Sequence, residues 1–128
     1  MKTYELINLG SSFLKDNRIF SNRIDAEILL SHVMRVSREK LLTNENDIKK
    51  DKIKKFKSLI LRRSENEPVA YIIKNKEFRS KNFFVDKNSL IPRPETELLI
   101  DPIVSIFRRK NLFFLDAGIG TGCIIFLY

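Results

Sequence analysis

The chain has 128 residues, 43% of them hydrophobic and 31% charged, a composition that excludes disorder and fits one domain or a small domain with part of another. No run approaches the ~18 consecutive apolar residues of a membrane span, the N-terminus lacks the apolar core of a secretory signal, and a lone cysteine, Cys123, excludes an internal disulfide; a reducing cytoplasm is the expectation. The net charge of +8 is concentrated between Lys49 and Arg63, where eight basic residues stand against Asp51.

The first part of the chain reads as helices. Thr3 is placed to cap a segment with Tyr4, Ile7 and Leu14 inward, Leu6 and Phe13 on its flank, and Gly10 weakening it. A second helix starts near Asn22, with Asp25 three residues on and Ile24, Ile28, Leu29 and Val33 inward. Ser37 caps a short third helix holding Leu41 and Leu42, and residues 46–64 form the fourth and longest. Short polar turns between these helices imply a small antiparallel bundle. In the fourth helix Ile53, Phe56 and Ile60 supply a buried stripe. The lysines around them mark a solvated face or a surface for RNA, the ribosome or an acidic protein. His32, the single histidine, has no Cys or His company that would suggest a metal.

The polar stretch Ser64 to Pro68 is a seam between domains. Val69 to Phe78 and Asn82 to Ile91 are rich in β-branched and aromatic residues and read as a β-hairpin turning at residues 79–82. Pro94 suits the first position of a helix, with Glu95 and Glu97 favoured by its dipole and Leu98, Leu99 and Ile103 inward. Pro102 predicts a kink or an end near Asp101. Residues 111–116 form a short apolar strand, and "AGIGTG" turns it into a helix from about Thr121. Such a strand–glycine–helix turn lets the backbone approach a ligand closely, with amide groups free at the helix start. The spacing Gly118-x-Gly120-x-Gly122 is not that of dinucleotide folds and is closer to the S-adenosylmethionine type. A purely structural glycine turn is the alternative.

"EPVAYIIKNKEFRSKNFFVDKNSLIPRPETELLI" followed by "LDAGIGTGCI" resembles the HemK/PrmC family, the peptide-chain-release-factor glutamine N5-methyltransferases, as does "DAEILLSHVMRVSREKLL". The Ile-Pro-Arg-Pro-Glu-Thr-Glu signature, Ile91 to Glu97, is its most specific part. The resemblance implies a helical substrate-docking bundle over 1–66, a β-hairpin linker over 67–93, and over 94–128 the start of a truncated α/β class I, Rossmann-like methyltransferase domain. It implies S-adenosyl-L-methionine as cofactor, held by Gly118, Ile119, Gly120, Thr121 and Gly122, and a release factor as protein partner, methylated on the glutamine of its Gly-Gly-Gln motif. It departs from the family at Lys74, where glycine is usual, and at Ala117 and Ile119, where leucine and threonine are usual. The Asn-Pro-Pro-Tyr motif that grips the glutamine amide in the family is not among these residues, nor is the acidic ribose ligand expected ~20 residues past the loop. The expectation is therefore a chain that does not catalyse alone, has no catalytic residue or metal site of its own and binds the cofactor weakly. A docking module for release factor or ribosome, with Lys49 to Arg63 as its basic contact, and one half of a split methyltransferase are the alternatives.

Overall fold

The computed structural model describes residues 1–108, 111 and 113–127, the last of these by its backbone only. The chain divides into two compact units, residues 1–73 and residues 74–128. No helix among the described residues is long and apolar enough to cross a membrane.

The first unit is helical: α1 (Thr3–Asp16), α2 (Asn22–Met34), α3 (Arg38–Thr43), α4 (Lys50–Ser64) and α5 (Val69–Ile73). Its core joins Leu6, Ile7 and Leu14 of α1, Ala26, Leu29, Leu30 and Val33 of α2, Leu41 of α3 and Phe56, Leu59 and Ile60 of α4. Each large side chain buried there contributes about 1.5–3 kcal/mol of transfer free energy. Gly10 allows α1 to meet α4. A Cβ built on it would lie 2.7 Å from the ring of Phe56 and 3.1 Å from Ile60, so the residue expected to weaken α1 is the one that admits its neighbour.

Several local expectations are corrected. The cap of α1 is Lys2, whose N–H donates to Glu5 at 2.8 Å. Thr3 is instead buried, and its hydroxyl donates to the carbonyl of Asn46. That contact belongs to a short antiparallel bridge between Lys2 and Asp47, which draws residues 46–49 out of the fourth helix and delays α4 to Lys50. The buried face of α1 is turned toward Leu6, leaving Tyr4 exposed. In α2 the exposed apolar residue is Ile24, while Ala26 and Leu30 are inside. Ser37 does cap α3 through the N–H of Lys40, with Leu41 buried and Leu42 outside.

The largest correction concerns the hairpin. Val69 to Ile73 is helix α5, not strand: Ile72 is buried and Val69 and Ile73 pack on the helical core. Apolar β-branched residues fit a buried helix face as well as a strand, and the N–H groups of Tyr71 and Ile72 bond back to the carbonyl of Pro68. The seam before it is tied down too, because Arg62 holds the Glu67 carboxylate at 2.5 and 2.8 Å and Arg63 reaches its carbonyl.

In the second unit the hairpin is only β1 (Lys76–Phe78) and β2 (Lys81–Phe83), antiparallel, with Lys76 opposite Phe83 and Phe78 opposite Lys81. Its two-residue turn places Arg79 and Ser80 at positive φ, the requirement of a type I′ turn. Lys74 also has positive φ, 56°, a conformation natural to the glycine usual there in the resembling family. A 3₁₀ helix, Pro94–Leu99 with proline at its start, passes into α6 (Ile100–Phe107). The change of helix type puts Pro102 in the first turn of α6, where a missing N–H is tolerated. Ile100 is buried, but Leu98 and Leu99 are exposed rather than inward. Residues 111 and 113–116 are not strand, and Phe113 and Leu115 are fully open to solvent. Leu112 of the expected strand lies outside the described residues. The final element is α7 (Cys123–Leu127).

Candidate functional site

The glycine loop is built from the second unit's small core. Phe78 of β1, Ile100 of α6 and Cys123 of α7 are buried together, with Phe83, Val104 and Ile124 packed against them. The rings of Phe78 and Phe83 meet edge to face, 6.3 Å apart. Cys123 thus pins the C-terminal end of the loop, its thiol free and buried. Gly118, Gly120 and Gly122 have φ of 74°, 55° and 77°, so all three lie in the left-handed region where a side chain costs about 1–2 kcal/mol. The N–H of Gly122 donates to the carbonyl of Ile119 at 2.9 Å and closes the turn. Gly118, Ile119 and Gly120 face solvent, Thr121 is half-buried and Gly122 is buried. A Cβ on Gly118 would meet nothing within 4 Å, whereas one on Gly122 would strike the ring of Phe126 at 2.8 Å. The loop is therefore an open, glycine-dependent backbone turn with its tip accessible and its root packed.

The signature segment lies between the hairpin and α6. Pro92 is buried, Arg93 and Glu95 are exposed, and the N–H of Thr96 closes a turn onto Arg93. Glu97 accepts a bond from the backbone N–H of Arg79 at 2.7 Å, and the Arg79 guanidinium pairs with Asp101. One arginine in the hairpin turn thereby fastens both the 3₁₀ helix and the first turn of α6. Sequence reasoning had no local signal for this link, since Arg79 and Asp101 are 22 residues apart.

The first unit carries the other charged features. Glu27, nearly buried in α2, accepts from Arg23 at 2.8 Å and from Arg38 at 2.7 Å. Burial pushes its carboxyl upward, but the two arginines outweigh that and hold it below the usual carboxylate value. Asp25 takes bonds from Ser21 and from Arg63, joining α2 to α4. Lys52 donates to the carbonyl of Val33 at the end of α2. His32 is pushed down, first by burial and then by the cations of Lys55 and Arg35, which places it at the rim of the basic surface. No cluster of metal-ligating side chains exists among the described residues. Of the eight basic residues between Lys49 and Arg63, Lys52, Arg62 and Arg63 hold internal partners.

Residues 5–73 match the family model of the PrmC N-terminal domain, a range that ends with the last residue of α5. The chain is 44% identical over 103 residues to the release factor glutamine methyltransferase of Buchnera aphidicola subsp. Schizaphis graminum, covering 80% of this chain and 38% of that protein. It is 41% identical over 124 residues to the enzyme of the same name from Leptospira interrogans, covering 93% and 43%. To the one from Bacillus cereus it is 37% identical over 129 residues, covering 97% and 45%. The chain thus spans less than half the length of these curated relatives.

Proposed function

We propose, for a chain that belongs to the PrmC N-terminal domain family, that it is the front part of an S-adenosylmethionine-dependent methyltransferase acting on the glutamine side-chain amide of a peptide chain release factor. The observation that carries this reading is a family-matched helical unit, residues 5–73, followed in one chain by an open loop with three glycines at positive φ. Release factor glutamine methyltransferases are 37–44% identical to the chain over 80–97% of its length. In this reading residues 1–73 dock the protein substrate. Gly118, Ile119, Gly120, Thr121 and Gly122 line the amino-acid end of the cofactor.

The loop fits that assignment in its backbone. Its tip is exposed, its turn depends on glycine conformations, and its root is anchored by Cys123. When bound, S-adenosylmethionine supplies an electrophilic methyl group on sulfonium. A glutamine amide nitrogen is a poor nucleophile because its lone pair is delocalised into the carbonyl. Acceleration then comes mainly from positioning and from hydrogen bonds that direct the lone pair outward. The residues that do this in the family, an Asn-Pro-Pro-Tyr motif, are not among these 128. The reading therefore gives residues 1–128 binding roles and no catalytic group.

A labelled-methyl assay tests it. Purified 1–128 with release factor and labelled S-adenosylmethionine should incorporate no label above background, and binding of the cofactor should be weak. Incorporation at the Gly-Gly-Gln glutamine by these residues alone would overturn the division of roles. A second reading, a docking module acting without chemistry, is favoured by the self-contained core of the first unit.

A further inference from the structure

The cations of α4 differ in what they touch. Three have partners inside the fold: Lys52 with the carbonyl of Val33, Arg62 with Glu67, Arg63 with Asp25. Lys50, Lys54 and Lys57, at spacings of four and three, form one row over about 10 Å of the outward face, and none has an ion pair among the described residues. Like charges at this spacing destabilise a helix by a few tenths of a kcal/mol per pair. Among the described residues no ion pair offsets that cost. Continuing the row by one more step of four reaches Leu61, which is 53% exposed. Leu61 and Lys57 form one wall of a groove whose other wall is Leu9 and Phe13 of α1, each more than 40% exposed, and whose floor is Phe56 and Ile60. The groove exists because Gly10 lets the two helices approach.

We propose that this α1–α4 groove, with the row Lys50–Lys54–Lys57 beside it, seats an acidic protein segment that inserts an apolar side chain between Phe13 and Leu61. The occupant follows from charge and shape. A second copy of this chain would bring a molecule of net charge +8 against the lysine row. Nucleic acid would satisfy the lysines, but the groove's apolar walls offer no hydrogen bonds to base edges and its floor lies below the surface instead of presenting a stacking platform. An acidic segment with a leucine or phenylalanine anchor satisfies both parts, as in helix-in-groove recognition. The inference rests on the docking role proposed for the helical unit and gives that role a surface and a ligand chemistry.

The experiment is fluorescence anisotropy on 1–128 with three labelled probes of matched charge. They are an amphipathic peptide with glutamates on one face and leucines at i, i+4 on the other, polyglutamate, and a single-stranded oligonucleotide. The amphipathic peptide should bind at least about tenfold more tightly than either other probe. Leu61→Ser should remove most of that advantage, and Lys54→Glu should weaken binding and flatten its salt dependence. Lys55→Glu, the same charge change off the row, should leave affinity within about twofold. Circular dichroism confirms that each variant is folded, and both Leu61 and Lys54 are exposed enough to be replaced without touching the core. Tighter binding of the oligonucleotide, equal binding of polyglutamate, or indifference to Leu61→Ser in a folded variant would each overturn the inference. Peptide binding without any release-factor binding would support the groove while removing the docking role assigned to that substrate.

Discussion

At the scale of single residues, the helical unit turns on two positions whose chemistry points opposite ways. Glu27 is a buried charge made tolerable by Arg23 and Arg38. Its proton is held more weakly in the folded chain than in the unfolded one, so its contribution to stability is complete above the ordinary carboxylate value of about 4.5 and is lost as pH falls through the folded value. Glu27→Gln should cost about 1–3 kcal/mol at neutral pH. The gap between variant and parent should close as the pH is lowered below that range. Urea melts from pH 7 to pH 3 measure it, and a gap that stays constant with pH would contradict the account. Gly10 is the reverse case, a residue whose value is an absent side chain. Gly10→Ala gains about 1 kcal/mol of helix propensity, but its methyl lands 2.7 Å from a fully buried Phe56, and overpacking of this kind costs about 1–3 kcal/mol. A net loss of up to about 2 kcal/mol is the expected outcome of a thermal melt. A raised melting temperature would show that α1 and α4 have room to spare.

At the scale of elements, the helices were legible because apolar residues recur at helical spacing, while the phase of each helix was less so. In α1 both Tyr4 and Leu6 are apolar candidates; the bundle chose Leu6 because the N-terminus is tethered to Asp47 and turned by it. In α2 the charged residues Asp25 and Glu27 are buried because Arg63, Arg23 and Arg38 reach them; Arg23 is a helical neighbour four residues from Glu27, but no local pattern announces Arg38 and Arg63, 11 and 38 residues from their partners. The sequence of α5 suggests strand for a physical reason: Val69, Ile72 and Ile73 are good strand residues, and only their burial against the helical core decides for helix. The candidate site divides the same way. The loop glycines were legible from spacing, whereas the Arg79 link to Glu97 and Asp101 required the fold. A consequence of α5 is that the helical unit needs Ile72, whose burial is worth about 1.5–3 kcal/mol. Chains ending at residue 66 and at residue 73 should therefore differ. The longer should melt cooperatively and at higher temperature, and equal melting would place α5 outside the unit.

At the scale of the whole molecule, the two units carry separate parts of one proposed task. The first has a continuous core and a cationic row with no ion pair among the described residues; the second has a glycine loop rooted in a small cluster around Phe78, Ile100 and Cys123. The central claim is that substrate docking resides in the helical unit. Isothermal titration of release factor into 1–73 and into 1–128, at low and high salt, tests it most directly. Both chains should bind saturably, with affinities differing by under about 1 kcal/mol and weakened alike by salt. Binding by 1–128 with none by a folded 1–73, or no binding by either, would contradict the claim.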